Sequence, residues 1–489
     1  MTASPLASPP LASPPPRRGL SARLAQAPLG VLVVYAIVVS FSTYFCMYAF
    51  RKPFDAAKFY ATDADGNIVR TPVFDAEGRP VLETKIDDHG VERLVPKTNP
   101  VAEKYLGTRI DLKTICVIAQ VIGYCLSKYL GTKICSEASG HSRAYLLIAF
   151  ILWAEVALVV FAIVPPGLKP VAMFVNGLPL GMVWGLCVRY LEGRRTSEVM
   201  VAGLSCSYII AGAATRDIAR DWVMGQWGVS ETWMPAVTGL LFLGPFLVAV
   251  LLLNQLPPPS ADDIAARSER VRMDAAQRRA FLAHFGIGFG MLLAAYFFLT
   301  ALRDFRDHYG AEIFDALGLG DQRAIFTRTE LWAMVGVILT LAAMNLIRNH
   351  RGALITVYGV IVGGFALIGT ATIAFEAGVL RPYWWMAAVG LGMYLAYVPF
   401  GAVLFERMMA ASRFNGTAVF AIMLADGIGY TGSVLFQLFR DLAFGHFNRL
   451  DFFVPYAIAV SVAGVLLMTM SGVLVIRTAT RPRAEGEVA

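Results

Sequence analysis

Twelve predominantly apolar stretches of about 18–23 residues recur along the chain, near 29–50, 110–130, 144–164, 170–190, 199–216, 234–254, 281–302, 330–347, 353–375, 382–404, 416–437 and 452–476. That length suits a helix crossing a hydrocarbon core and is about twice that of a barrel strand. In lipid only helices and closed barrels satisfy their own backbone groups. The pattern therefore predicts an all-α polytopic membrane protein with twelve transmembrane helices in two six-helix halves, 29–254 and 281–476.

Polar segments interrupt this rhythm in four places. Residues 1–28 repeat Leu-Ala-Ser-Pro-Pro at 6–10 and 11–15, a composition that cannot bury a core and reads as a disordered tail. Residues 55–107 form a long polar loop with turn dipeptides Asp65-Gly66 and Glu77-Gly78 between short alternating stretches, which predicts hairpin strands. Within it, Asp63-Ala64-Asp65-Gly66-Asn67 begins like a calcium loop but lacks the distal Glu, and reads as a plain turn. Residues 255–280 are a charged linker at the midpoint, and 477–489 are a second polar tail.

Composition and charge sharpen this picture. Only 16% of residues are charged and 57% are hydrophobic, against about 25% charged in soluble domains. The net charge of +7 reflects loop placement rather than a nucleic-acid surface. Lys133, Arg143, Arg194, Arg195, Arg348, Arg351, Arg407 and Arg413 fall in short loops on one side, and only Lys169 and Arg381 in short loops on the other. The positive-inside rule then places both termini in the cytoplasm of a bacterial inner membrane. Cys46, Cys116, Cys125, Cys135, Cys187 and Cys206 show no metal-ligand spacing and read as buried thiols. No nucleophile–base arrangement, HExxH, GxSxG or P-loop occurs, so neither an enzyme nor an ATP-driven pump finds support, and no cofactor is expected.

The two halves repeat each other. Tyr44, Phe45, Ala49, Arg51 and Asp55 match Tyr296, Phe297, Ala301, Arg303 and Asp307, 252 residues apart; Thr108–Leu112 matches Thr327–Leu331, 219 apart; Arg220-Asp221 and Pro235 match Arg440-Asp441 and Pro455, 220 apart. The spacing changes where the 55–107 loop lengthens the first half. Parallel six-plus-six repeats are the architecture of major facilitator transporters, whose substrate lies near the midplane between the halves.

Arg51 and Arg303, at the ends of the first and seventh helices, are symmetry mates. Guanidinium forks pair bidentately with phosphate or carboxylate, so the two can clamp one anion; the alternative is that each snorkels to the interface. Lys128 either adds to that site or marks a helix end. Asp307 follows Arg303 by four residues and Asp55 follows Arg51 by four, a spacing that allows ion pairs on a helix, although Pro53 favours a solvated Asp55. Glu192 and Glu406 end the fourth and tenth helices beside Arg189 and Arg407 as candidate gate or structural pairs. Asp426, inside the eleventh helix among Gly427, Gly429 and Gly432, is a candidate proton site or partner for a cavity cation. Tyr44, Tyr48, Tyr124, Trp184, Tyr296 and Tyr394 are candidate lining aromatics.

At these residues the chain resembles the organophosphate:phosphate antiporter branch of the major facilitator superfamily. Tyr48-Ala49-Phe50-Arg51-Lys52-Pro53-Phe54 resembles that branch's first-helix Tyr-x-x-Arg-Lys-Asn-Phe, and Tyr124-Cys125-Leu126-Ser127-Lys128-Tyr129 its second-helix Tyr-Gly-Phe-Ser-Lys-Phe. Gly181-Met182-Val183-Trp184, followed by Arg189, is similar to its fourth-helix segment, and Gly429-Tyr430-Thr431-Gly432-Ser433-Val434 to its eleventh. The first segment is also shared with a set of bacterial membrane proteins. The resemblance implies that Arg51 and Arg303 bind a phosphoryl group, with Lys128 and Tyr48 at the site. Pro53 replaces the branch's Asn, and Tyr208 stands where the branch has a histidine. The expected partners are a small anionic solute and the bilayer, without nucleic acid, for a protein acting as a monomer. Two other functions stay open: a receptor for a phosphorylated solute on the same fold, and a proton-coupled carrier of a neutral or carboxylate solute using Asp426.

Overall fold

The computed structural model describes residues 19–74, 77–86, 92–137, 142–260, 263, 275–347, 349–412, 418–445 and 447–479. The expectations for residues 1–18, for half of the 255–280 linker and for 480–489, and the placement of Arg348 and Arg413, lie outside these residues. Residues 20–26, assigned to the tail by composition, form a short helix, α1 (Leu20–Gln26), whose Ser21 and Leu24 are buried.

The first half comprises α2 (Leu29–Tyr48), α3 (Leu112–Glu137), α4 (Ser142–Ile163), α5 (Lys169–Leu191), α6 (Ser197–Asp217) and α7 (Met234–Leu253). The second comprises α8 (Ala275–His308), a short α9 (Gly310–Ala316), α10 (Ile325–Asn345), α11 (His350–Glu376), α12 (Pro382–Pro399), α13 (Phe405–Ser412), α14 (Ala418–Phe444) and α15 (Arg449–Ala479). Eleven of the described helices are long and apolar enough to cross a membrane. The tenth crossing is broken. Pro399 lacks the N–H that an α-helix needs and its ring crowds the preceding turn, and residues 400–404 widen into a π-helical turn before α13 resumes. The chain is thus an all-α protein of twelve transmembrane helices in two pseudo-symmetric halves, each with its own apolar core.

Small residues set the closest helix crossings. A Cβ on Gly177 of α5 would meet the Gln120 carbonyl oxygen of α3 at 2.3 Å, and one on Gly123 of α3 would meet the Phe174 carbonyl oxygen at 2.3 Å. Without a hydrophobic drive between helices in lipid, such backbone approach supplies the packing. The halves meet along α6 with α10 and along α3 with α14.

The 55–107 segment carries two antiparallel strand pairs: β1 (Arg70–Pro72) with β4 (Thr98–Pro100), and β2 (Leu82–Ile86) with β3 (Glu92–Pro96). Asp63 accepts from the backbone N–H of Asp65 (3.0 Å) and of Asn67 (2.8 Å), a plain turn.

Candidate functional site

After Tyr48 the chain leaves α2 and turns through Arg51 into a 3-10 turn at Pro53–Ala56. Asn176 on α5 fixes this turn, donating Nδ2 to the carbonyls of Phe50 (3.1 Å) and Ala154 (3.0 Å). Gln120 on α3 donates to Asn176 (2.8 Å) and to the Arg51 carbonyl (3.4 Å). So anchored, the Arg51 guanidinium lies 3.9 Å above the Tyr124 ring. Its Nε is buried without an acceptor, and among the described residues no carboxylate lies in ion-pair range of it. Across the halves, Arg303 on α8 lies 3.8 Å above the Tyr397 ring and pairs with Asp304 (2.7 Å).

Between the arginines the site is walled by aromatics. Tyr48 is in electrostatic reach of both guanidiniums, as is Tyr430. Lys128 on α3 pairs with Asp426 on α14 at 2.7 Å, and the Tyr296 hydroxyl donates to the other Asp426 oxygen at 3.1 Å. The Lys128 ammonium sits 4.8 Å from the Tyr430 ring centre. Tyr44 stands edge-on to Tyr48 (5.5 Å) and Trp184 (4.9 Å), Trp184 contacts Tyr208 (6.1 Å), and Tyr296 stacks on Tyr397 (5.5 Å). The predicted residues Arg51, Arg303, Lys128, Asp426, Tyr44, Tyr48, Tyr124, Trp184, Tyr208 and Tyr296 therefore join in one continuous set of contacts. Lys128 belongs to this set rather than capping a helix end. Tyr394 lies at the edge of this set, in an apolar cluster with Ile209 and Val337 against which Tyr208 and Tyr397 pack, and is in electrostatic reach of Arg303.

Sequence reasoning missed Asp304, Tyr397 and Tyr430 as site residues. Tyr430 follows Asp426 by four, one helical turn, and that spacing was a usable signal. Asp304 adjoins Arg303 directly and was passed over for the i,i+4 candidate. Nothing local marks Tyr397.

Two expectations are corrected at the end of the bundle that carries the 55–107 loop. Asp307 does not pair with Arg303; it holds Lys52 (2.6 Å) and Arg216 (2.9 Å) from the other half. Helical twist turns it onto the facing half, and Asp304 already neutralises Arg303. Asp55 is not solvated but 1% exposed, bonded to Lys52 (3.0 Å) and to His308 of the other half (2.8 Å). Pro53 does not expose it: the 3-10 turn folds it inward. Burial opposes its ionisation, but His308 and Lys52 outweigh burial and hold its carboxyl well below the ordinary carboxylate value.

Around these residues the two halves are latched symmetrically. Asp217 and Asp221, at the end of α6, accept the backbone N–H groups of Phe326 (3.2 Å), Thr327 (2.6 Å) and Ala324 (2.7 Å) at the start of α10. Asp441, near the end of α14, accepts the Asp111 N–H (2.9 Å) at the start of α3. Free N–H groups and the helix dipole make these N-termini good seats for carboxylates. Arg440 pairs with Asp441 at 2.9 Å, Arg449 bridges Asp111 and Asp441, and Lys113 holds Glu312 at 2.8 Å. The repeated Arg220-Asp221 and Arg440-Asp441 of the sequence thus occupy matching positions at the latch.

Glu192 and Glu406 lie at the opposite end. Glu192 pairs with Arg189 at 3.4 Å. Glu406 is exposed in the first turn of α13, while Arg407 faces the His350 ring nitrogen at 3.4 Å. Neither glutamate joins the aromatic site.

Helix order and the paired halves define a polytopic membrane protein of the major facilitator fold. The chain belongs to DUF5690, a family of unknown function, whose profile matches residues 99–477. No curated protein matches it by sequence. Among solved structures it is similar to the peptide transporter POT in complex with alafosfalin (TM-score 0.57, 12% identity, 95% of this chain and 97% of that one). It is also similar to the inward-open xylose transporter XylE from E. coli (0.54, 12%, 94% and 97%) and to the nucleoside transporter NupG (0.54, 12%, 91% and 98%). At such identity the likeness establishes the fold alone.

Proposed function

We propose that the protein is a secondary transporter that moves a small anionic solute by alternating access, with phosphate or phosphate esters as the leading class and exchange for phosphate as one driving mode. It acts as a monomer in a bacterial inner membrane, with both termini in the cytoplasm and the 55–107 loop outside. One observation carries this reading: the symmetry-related Arg51 and Arg303 are each seated on a tyrosine face between the two halves, and Arg51 lacks a carboxylate among the described residues. Arg303 has Asp304 and Lys128 has Asp426, so one positive charge is left for a ligand to balance. Arg51 keeps its N–H groups for a bidentate oxyanion, whereas Arg303 spends Nε and Nη2 on Asp304 (3.2 and 2.7 Å) and would meet the anion with its remaining N–H groups.

The latch describes one side of the cycle, closed on the loop end. Opening that end must break its pairs, and an anion drawn between the arginines shifts the balance only by binding one arrangement more tightly. The test is counterflow of labelled phosphate in proteoliposomes loaded with unlabelled phosphate, wild type beside Arg51→Lys and Arg303→Lys. Exchange that both substitutions abolish supports the clamp; no exchange in folded wild-type protein rejects phosphate as the substrate.

A further inference from the structure

Two intramembrane acids among the described residues stand outside both the aromatic site and the latch: Glu330 on α10, which pairs with Arg306, and Glu155, which has no such partner. Glu155 lies on α4, about 12 Å along the helix from its loop-end terminus, and is 8% exposed. Its Oε2 is buried without a hydrogen-bond partner. Gly239 of α7 makes the room: a Cβ there would lie 2.1 Å from Oε2 and 3.1 Å from the Phe50 ring. The carboxyl therefore sits where α4, α7 and the turn after α2 converge.

Among the described residues no charged group compensates it. The charged side chains of the packed elements are Arg143 at the start of α4, Lys169 and Arg189 at the ends of α5, and Arg51, Lys52 and Asp55 on the turn after α2; α7 carries none. Lys52 is held by Asp55 (3.0 Å) and Asp307 (2.6 Å), and Asp55 also by His308 (2.8 Å). Lys169 is bonded to the Phe161 carbonyl (2.8 Å), Arg143 to the Arg189 carbonyl (3.1 Å), Arg189 to Glu192, and Arg51 lies on Tyr124. None is in electrostatic reach of Glu155. The neighbouring polar side chain, Asn176, spends both N–H groups on the carbonyls of Phe50 and Ala154. An uncompensated carboxylate is costly in such a place, whereas a neutral carboxylic acid fits.

We propose that Glu155 is a proton-carrying site that couples anion transport to the proton gradient. In the loop-end-closed arrangement its carboxyl holds a proton. The carboxylate takes that proton from outside water when the loop end opens and α7 and the turn after α2 separate from α4; after the loop end closes, the O–H bond breaks and the proton leaves to water entering from the cytoplasmic end, which returns the carboxylate for the next cycle. Coupling to the anion runs through Asn176, which ties the residue before Glu155 (Ala154) to the residue before Arg51 (Phe50). Seating an anion on Arg51 and emptying Glu155 thus draw on the same packing. Glu155 is a positioning and proton site, not a contact of the anion, and the proposal rests on the anion reading above.

The experiment uses full-length protein in proteoliposomes with an internal pH dye, labelled phosphate and an acid-outside gradient, wild type beside E155Q and E155D, each also assayed for phosphate counterflow. Wild type should accumulate phosphate about tenfold over the value without a gradient, with dye-reported proton entry. E155Q should lose accumulation and proton entry yet keep counterflow, because a permanently neutral amide still cycles loaded. E155D should keep accumulation with a displaced pH profile. Accumulation by E155Q equal to wild type, or phosphate entry into wild type without protons, overturns the proposal while sparing the anion reading. Absent counterflow in wild type removes the anion reading and this one with it. Should E155Q lose counterflow too, the E155D profile decides, an unchanged profile counting against the site.

Discussion

At the residue scale, function rests on how a cation is kept in the membrane interior. Arg51 and Arg303 each use a tyrosine face, which stabilises a guanidinium without neutralising it. Lysine carries the same charge but offers neither the flat stack nor the fork. Arg51→Lys and Arg303→Lys are each expected to lower phosphate exchange at least tenfold, about 1.4 kcal/mol, while thermal unfolding of the detergent-solubilised protein moves little. Asp426 acts in the opposite sense, since it occupies Lys128 at 2.7 Å. Asp426→Asn should free that ammonium and tighten phosphate binding severalfold by calorimetry, with slower turnover because release is then harder. Unchanged affinity in that variant would place Lys128 outside the anion's reach.

Helices, not single side chains, decide how the halves engage. The latch couples the end of α6 to the start of α10 and the end of α14 to the start of α3, a carboxylate on helix N–H groups in both cases. A helix cap of this kind is worth about 1–2 kcal/mol, enough to move a two-state balance by a factor of about 5–30. Asp217→Ala should therefore raise labelling of a cysteine placed at Gly212, where a Cβ has room beside Tyr48 and Lys52, by a membrane-impermeant thiol reagent applied from outside. Labelling no faster than in the parent would show that the latch does not govern opening. The α3–α5 crossing is a separate matter of shape: Gly177→Ala forces a methyl against the Gln120 carbonyl, an overpacking cost of about 1–3 kcal/mol, to be read as a lowered melting temperature.

For the molecule as a whole, the buried ion pairs make closure of the loop end pH-dependent. Asp55 has its carboxyl held below the ordinary value by His308 and Lys52. A carboxylate depressed in this way contributes stability that is full above its unfolded pKa of about 3.9 and is lost as pH falls through that value toward the depressed one. Glu312 has the opposite sense, burial raising its carboxyl despite Lys113, so that its charged form is disfavoured and acid relieves it. Measured against a fully exposed reference cysteine at the same pH, because labelling needs the thiolate, the cysteine at Gly212 should be protected at neutral pH and lose that protection below about pH 4, and Asp55→Asn should remove most of that acid limb. A relative labelling rate flat across the range in the parent would show that these pairs carry no net share of closure.

The sequence by itself determined the class of the molecule. Apolar runs of spanning length can only become helices in lipid, and the matched Arg51/Arg303 and Asp221/Asp441 exposed the doubled architecture. It also pointed to most of the aromatic site, because cations inside apolar helices are rare enough to be conspicuous. It did not determine partners. Spacing along one helix favoured Asp307 for Arg303, yet the facing half supplies Lys52 and Arg216 at closer range, and Asp55 is buried by a turn whose proline had argued for solvent. Tyr397 carries no local signature, since its role arises from the guanidinium that stands opposite; Glu155, a lone acid in an apolar run, was a usable signal, but that it stands against a bare glycine with no partner is visible only in three dimensions. Pairing across the two halves depends on the relative placement of segments between 91 and 338 residues apart, and only the tertiary structure decides that.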